Sequence, residues 1–317
     1  MQQKSGDFRG FFPLTMPTVQ LNQVRKVYEN KVAVEGLTLR IDPGTMFGLL
    51  GPNGSGKTSS IRMMIGITMP DSGTVELFDR PFTRDALKRV GYLPEERGLY
   101  KKMNVLDQLI FMGRLHGLNT MEAERRAKIW ADRLQITEAL PKKTEELSKG
   151  MQQKIQFIAA LLHEPDLIIL DEPFSGLDPV NGALLQDTMM ELRSAGKAIL
   201  FSTHRMDQVE RMCDGIALIH RGRVVLQGGM REVKARYPRN RVEVVYEGDN
   251  SFLRNPEVAE VKEYTGRAEV TLRGEQPDAQ PLLLDAVRSG VRIQKFEVKE
   301  PTLEEIFISA VGGRVDA

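Results

Sequence analysis

One run of eight residues, Gly51-Pro52-Asn53-Gly54-Ser55-Gly56-Lys57-Thr58, restricts this chain more than any other feature in it. It matches the pattern G-x-x-x-x-G-K-[ST], which cradles phosphate when it follows a strand and opens a helix. Both flanks are as required. The apolar segment MFGLL at 46–50 reads as a buried strand, and a helix follows that ends near Gly66. Gly51, Gly54 and Gly56 remove side chains, so successive N–H groups can turn toward phosphate oxygens. The helix N-terminus adds its partial positive charge. Lys57 can reach the β- and γ-phosphates, and Thr58 can offer its hydroxyl to Mg²⁺. A glycine-rich turn with a chance lysine would not call for this strand and this helix on its two sides.

A second apolar run, LIIL at 167–170, ends in Asp171-Glu172. In enzymes with such a loop a strand-end aspartate holds Mg²⁺, which makes Asp171 the expected ligand. Glu172 is then placed to orient and deprotonate water, so the expected reaction is hydrolysis rather than transfer to another acceptor. The plainer reading, a solvated pair of acids at a strand end, leaves Lys57 and Thr58 without a metal partner. AILF at 198–201 is a third buried run, followed by Ser202, Thr203 and His204. Ligands in open α/β sheets bind at the carboxyl ends of strands, so His204 is assigned to the γ-phosphate and water. The other histidines, His116, His163 and His220, have no such setting and are read as structural.

Periodicity places the remaining elements. VQLNQVRKVY and KVAVEGLTLRI read as strands joined near Glu29-Asn30. From about Asn104 to His163 the pattern is helical, with inner stripes Leu106, Leu109, Ile110, Gly113, then Ala127, Trp130, Ala131, Leu134, then Met151, Ile155, Ile158, Ala159, Leu162. Asn104 is expected to cap the first of these helices. LIIL, AILF and IALI (216–219) read as strands covered on both faces, with a helix from Asp178-Pro179 to Gly196 between the first two. Composition breaks near Tyr237-Pro238. Beyond it lie a period-two strand VEVVYE, a hairpin about Thr265-Gly266, a helix near 282–287 and the strand RIQKFEV. A final helix follows, with Thr302 and Glu305 as a capping box.

With 317 residues, 41% hydrophobic and 27% charged, the chain has the makings of about two packed domains. Its formal net charge of +1 argues against a chain whose main task is neutralising DNA or anionic lipid. One cysteine, Cys213, excludes an internal disulfide and a Cys-based zinc site. No uncharged apolar stretch approaches ~18–20 residues, so no membrane span is expected, and the opening MQQKSGDFRGFFPLT makes a poor signal peptide. A cytoplasmic location is the default. Met16 would make a plausible alternative start.

Three further segments carry a resemblance. LSKGMQQK at 147–154 is similar to the signature LSGGQ of ATP-binding cassette (ABC) proteins, keeping Ser148 and Gly150 but substituting Lys149 and Met151. SGLD at 175–178 resembles the family's D-loop, ending in Asp178, and STH ends in a match to its switch histidine, His204. Tyr28 stands where the family places an aromatic that stacks on adenine. The resemblance covers about residues 19–235 and is that of the ATP-binding subunit of an ABC transporter. It implies an α/β fold: a P-loop NTPase cassette with a mainly parallel core sheet, a β-rich N-terminal subdomain and an inserted helical lobe, plus a small C-terminal α+β domain. The expected division is an N-terminal extension over 1–17, the cassette over 18–237 with its helical lobe at about 100–163, and the small domain over 240–312.

The resemblance further implies ATP and Mg²⁺ as ligands and a homodimer (or paired cassette) that sandwiches ATP head to tail. Each signature then completes its partner's site. Read from the residues alone, Ser148 can cap the Met151–Leu162 helix and present its tip, with the Gly150 N–H, to an anion. The family usually has glutamine after GYLP, sensing Mg²⁺ and relaying to membrane subunits, whereas here Gly91-Tyr92-Leu93-Pro94 precedes Glu95-Glu96. Glu95 is expected to fill the relay role with altered metal or water contacts. PTLEEIF near the C-terminus resembles cassette subunits of bacterial drug and sodium exporters, which implies export through separate transmembrane permease subunits, at the inner face of the cell membrane, with no nucleic acid partner. The competing class is a soluble ABC ATPase acting on nucleic acid or ribosomes. For the C-terminal domain, a regulatory ligand site and simple dimer support weigh equally.

Overall fold

The computed structural model describes residues 16–96, 98–274 and 277–311. The expected extension over 1–17 therefore lies outside the described residues except for its last two. The chain separates into two compact units, one through Gln227 and one from Gly228. The second unit thus begins before the composition break at Tyr237-Pro238, because β10 (Arg223–Gly229) runs directly into α7 (Met230–Ala235) with no polar linker between them.

In the first unit, β1 (Val19–Tyr28) and β2 (Lys31–Ile41) form an antiparallel pair closed at Glu29-Asn30, as patterned. β4 (Ser72–Leu77) joins β1 on its other side and β5 (Arg80–Pro81) extends the edge. The main sheet contains β3 (Met46–Leu50), β6 (Val90–Leu93), β7 (Leu167–Asp171), β8 (Ala198–Thr203), β9 (Gly215–His220) and β10, in the order β10-β9-β3-β8-β7-β6. β9, β3, β8, β7 and β6 pair in parallel. Every residue of β3, β7 and β8 is buried, which is why their sequences are apolar up to the polar carboxyl ends of β7 (Asp171) and β8 (Ser202, Thr203). One core joins the two sheets through α1 (Lys57–Met64): Leu21, Leu39, Ile61, Met64, Leu49 and Leu200 belong to a single cluster. Gly66, at φ +67, lies just past this helix, as its position predicts.

The inserted lobe holds α2 (Val105–Leu115) and α3 (Thr120–Arg133), and α4 (Lys149–Leu161) leads from it back to the main sheet. Two expectations fail at α2. Asn104 precedes the helix, but its side chain makes no cap hydrogen bond. The first free amides, Val105 N–H and Leu106 N–H, donate instead to the carbonyls of Lys142 (3.0 Å) and Leu140 (3.0 Å), so a returning segment does the capping. The buried stripe is also turned toward Val105 and Gln108. Gln108 is fully buried, with its amide donating to Thr144 Oγ1 and accepting from Tyr100 N–H. α5 (Pro179–Ser194) and α6 (Met206–Met212) complete the unit.

The second unit is a four-stranded antiparallel sheet of β12 (Val258–Tyr264), β13 (Arg267–Leu272), β11 (Arg241–Glu247) and β14 (Arg292–Lys299), in that order. Val242, Val244 and Tyr246 share a core with Leu282 and Ala286 of α8 (Gln280–Arg288). The period-two expectation for β11 holds, with one addition. Glu243, on the opposite face, is buried too, because Lys295, Lys299 and Arg267 enclose its carboxylate and hold its pKa down at about 2. α9 (Leu303–Ala310) opens with the Thr302–Glu305 capping box and buries Leu303, Ile306 and Phe307, while Ala310 is exposed.

Candidate functional site

The loop between β3 and α1 has the backbone that its glycines require. Gly51 has φ +150, and a Cβ there would lie 2.2 Å from the Ile219 carbonyl oxygen. Gly56, before α1, has φ +115, and a Cβ would lie 2.3 Å from the Ala33 carbonyl oxygen. No other residue type fits either position. Lys57 is buried and its Nζ donates to the carbonyls of Gly51 (2.7 Å) and Pro52 (3.2 Å). Burial lowers its pKa, and the nearby carboxylates Glu172, Asp171 and Glu95 partly oppose that shift.

A cleft of about 310 Å³ opens over this loop. Nine of the expected residues line it: Tyr28, Asn53, Gly54, Gly56, Lys57, Thr58, Glu95, Asp171 and Glu172, joined by Lys31, Ala33 and Ser59. Gly51, Pro52 and Ser55 build the loop without lining the cleft. Asp171, at the end of β7, is 1% exposed, and its Oδ1 accepts from Ser202 Oγ. Its Oδ2 has no partner among the described residues. A buried carboxylate oxygen left in this state on the wall of a cleft, near a threonine hydroxyl, suits an oxygen-seeking divalent cation. The described residues hold no ready-made group of three His, Cys, Asp or Glu ligands. A cation here would therefore complete its shell with water or phosphate, as Mg²⁺ does.

Glu172 follows with φ +50, a left-handed conformation that a glutamate rarely adopts. Its N–H lies 3.2 Å from both the Ser202 carbonyl and Ser202 Oγ. Its carboxylate Oε1 meets His204 Nδ1 at 3.1 Å. His204 thus joins the site through Glu172, as the end of β8 requires. Two further residues were not foreseen. Ser202 lies opposite Asp171 in the β7–β8 register and braces both acids. Gln153 of α4 is buried and its amide donates to the carbonyls of Pro173 (3.0 Å) and Glu172 (3.4 Å). Both sit on recognised motifs, but only strand register and helix packing show what they touch.

Ser148, Gly150 and Asp178 do not line this cleft. Ser148 caps α4 by accepting from Met151 N–H at 3.2 Å. Asp178 caps α5 by accepting from Asn181 N–H at 2.9 Å, and that backbone hydrogen bond lowers its pKa. Gly150 has a local packing reason as well, since a Cβ there would come within 3.3 Å of the Gly176 carbonyl oxygen. The histidines read as structural include an unexpected pair: His116 and His163 stack with ring centroids 3.8 Å apart.

A glycine loop before α1, a buried strand-end aspartate and a poised glutamate define a nucleoside-triphosphate-binding protein of the P-loop class. Comparison with known proteins takes this further. Residues 34–175 match the family described as ABC transporter, and residues 228–311 match the family described as ATP-binding protein DrrA1-3-like, C-terminal domain. The chain is 42% identical over 293 residues (92% of this chain, 98% of the relative) to the uncharacterized ABC transporter ATP-binding protein YhaQ of Bacillus subtilis (strain 168). It is 32% identical over 302 residues (94% and 98%) to the Nod factor export ATP-binding protein I of Burkholderia thailandensis. A solved structure of an ATP-binding subunit of an ABC transporter superposes with a TM-score of 0.64 at 31% identity, covering 69% of this chain and 92% of that one. The chain belongs to the ABC transporter family, as an ATP-binding subunit whose cassette hydrolyses ATP.

Proposed function

We propose that this protein is the ATPase of an exporter, working in a head-to-tail pair of cassettes against separate membrane-spanning permease subunits at the inner face of the cell membrane. The observation that carries the catalytic part is the meeting of Lys57, Thr58, Asp171 and Glu172 on one cleft, with His204 held against Glu172. Tyr28, 40% exposed on that cleft, supplies a ring for adenine. Lys57 exchanges its two loop carbonyls for the β- and γ-phosphates. Thr58, Asp171 and Glu95 would hold Mg²⁺, which supplies charge neutralisation at the phosphates. Glu172, fixed by Ser202 and His204, accepts a proton from the attacking water.

Ser148, Gly150 and Asp178 stand outside the cleft of their own chain, which suits residues that complete the site of a second copy. γ-Phosphate contacts from both chains would favour the closed pair over the open one, and hydrolysis would release it. An apolar groove of about 390 Å³ supports docking to a permease. Ile67, Leu99, Met112 and Leu115 line it, and Pro94 and Gly98, either side of Glu95, contribute to its wall. A cytoplasmic segment of the permease seated there would touch the same short loop that faces the nucleotide. Export is supported by the export relative and by the DrrA-like C-terminal match. No described helix is long and apolar enough to cross a membrane.

The deciding experiment is purification of the tagged protein from native membranes. Recovery with a polytopic protein, released by disruption of the Leu115 groove, supports the transporter. Recovery with ribosomes or nucleic acid instead overturns it. For the pair, a crosslinking map of Glu172→Gln with ATP and Mg²⁺ should place Ser148 of one chain near the glycine loop of the other, and distant positions in every assembly would refute the head-to-tail arrangement.

A further inference from the structure

Glu95 changes the charge of the nucleotide cleft. Among the described residues that line it, three carboxylates (Glu95, Asp171, Glu172) face two ammonium groups (Lys31, Lys57). Glutamine at position 95 would balance these described charges, whereas glutamate leaves one negative charge in excess. No hydrogen bond among the described residues ties these acids to either lysine. The Lys57 ammonium is bonded to loop carbonyls, and Asp171 Oδ2 is buried with no partner among the described residues. We propose that Glu95 makes this ATPase selective for the metal complex of the nucleotide, so that metal-free triphosphate is rejected rather than merely held in an unreactive state. This deepens, and rests on, the reading of the cleft as the ATP site.

The argument is electrostatic. A metal-free triphosphate carries roughly twice the negative charge of its complex with a divalent cation. The wall therefore repels it more strongly. Glu95 and Asp171 would help to hold a divalent cation, which would supply the positive charge that turns that repulsion into attraction. A unit charge about 8 Å away, at an effective dielectric of about 20–40, weakens binding of even a singly charged like group roughly 6- to 30-fold, and the more highly charged metal-free triphosphate is penalised by at least that much. Glu95 is thus a specificity residue for the form of the substrate, and its carbonyl neighbour Glu96, which accepts from Gln156 of α4 at 3.4 Å, keeps the loop in place against the helix.

The test is equilibrium binding of a fluorescent ATP analogue to the full chain, with Mg²⁺ and with EDTA, no turnover being needed. Glu95→Gln should tighten metal-free binding at least about 6-fold while changing the Mg²⁺ complex less, because loss of a metal-holding carboxylate offsets the relief of repulsion there, and Glu95→Asp should behave as wild type. The Glu95→Gln gain should shrink as salt is raised, which a merely structural role would not produce. Equal metal dependence in wild type and Glu95→Gln overturns the proposal. Lys57→Ala separates the two readings: unimpaired binding in that variant sinks the ATP site itself, whereas lost binding in Lys57→Ala with an unchanged Glu95→Gln sinks only the role of Glu95.

Discussion

Glu172 allows strain and catalysis to be measured at one residue. Its φ of +50 places a side chain with a Cβ in the left-handed region, at a cost of about 1–2 kcal/mol relative to right-handed backbone. Asparagine tolerates that region far better than glutamate or glutamine. Glu172→Gln keeps the shape and the strain and removes the base. Glu172→Asn removes the base and relaxes the backbone. Both variants remove one negative charge and alter the contact to His204, so these effects largely cancel in the comparison. The Asn variant should be more stable than the Gln variant by about 0.5–1 kcal/mol, which for a unit of this size is roughly 1–4 °C in melting temperature. Phosphate release should fall about 10²- to 10⁴-fold in both, with ATP binding kept. Thermal melts of nucleotide-free protein and a phosphate-release assay suffice. Equal melting temperatures would refute the strain, and hydrolysis within a few-fold of wild type in Glu172→Gln would refute the base.

Other residues give sharper single outcomes. Gly56→Ala forces a Cβ to within 2.3 Å of the Ala33 carbonyl oxygen at φ +115, so nucleotide binding should be lost and stability reduced by at least about 2 kcal/mol, read by titration and melting. Ser202→Ala leaves both Asp171 oxygens unpaired. It should cost about 1–3 kcal/mol and raise the Mg²⁺ concentration for half-maximal hydrolysis about 10- to 100-fold. His163 has its pKa lowered from 6.5 to about 4, first by burial and then by the neighbouring His116, against the Val90 carbonyl that accepts from Nε2 at 3.0 Å. The unfolded chain therefore binds more protons between pH about 4 and 6.5, and stability falls on acidification through that window. Discounted for partial solvent exposure, the loss between pH 7 and 5 is on the order of 1 kcal/mol, and His163→Gln should flatten it.

Much of this was legible in the chain because the informative residues are local. A glycine loop, a buried apolar strand and a strand-end acid each show themselves within a few positions, so the Gly51–Thr58 cradle, the β7–Asp171 junction and the Thr302 box needed no tertiary knowledge. What escaped depends on partners distant in sequence. Asn104 looks like a cap, yet carbonyls from 140 and 142 reach its helix first. Ser202 matters only because β7 and β8 align it with Asp171. Stacking of His116 on His163 brings together residues just past the ends of α2 and α4. The strain at Glu172 is a backbone property imposed by its neighbours, and no residue type announces it. The unit boundary at Gly228 was masked because β10 and α7 continue without a composition change.

α4 gives the last point its weight. Its capped end, Ser148, is the part offered outward. One turn further, Gln153 grips the backbone at Glu172 and Pro173, and Gln156 grips the loop that carries Glu95. A single helix therefore holds both the backbone of the strand-end glutamate and the Glu95 loop. If cassettes pair as proposed, a neighbour's triphosphate pulling on its tip would be felt in the chain's own cleft, and two such molecules facing each other would find it hard to keep separate time.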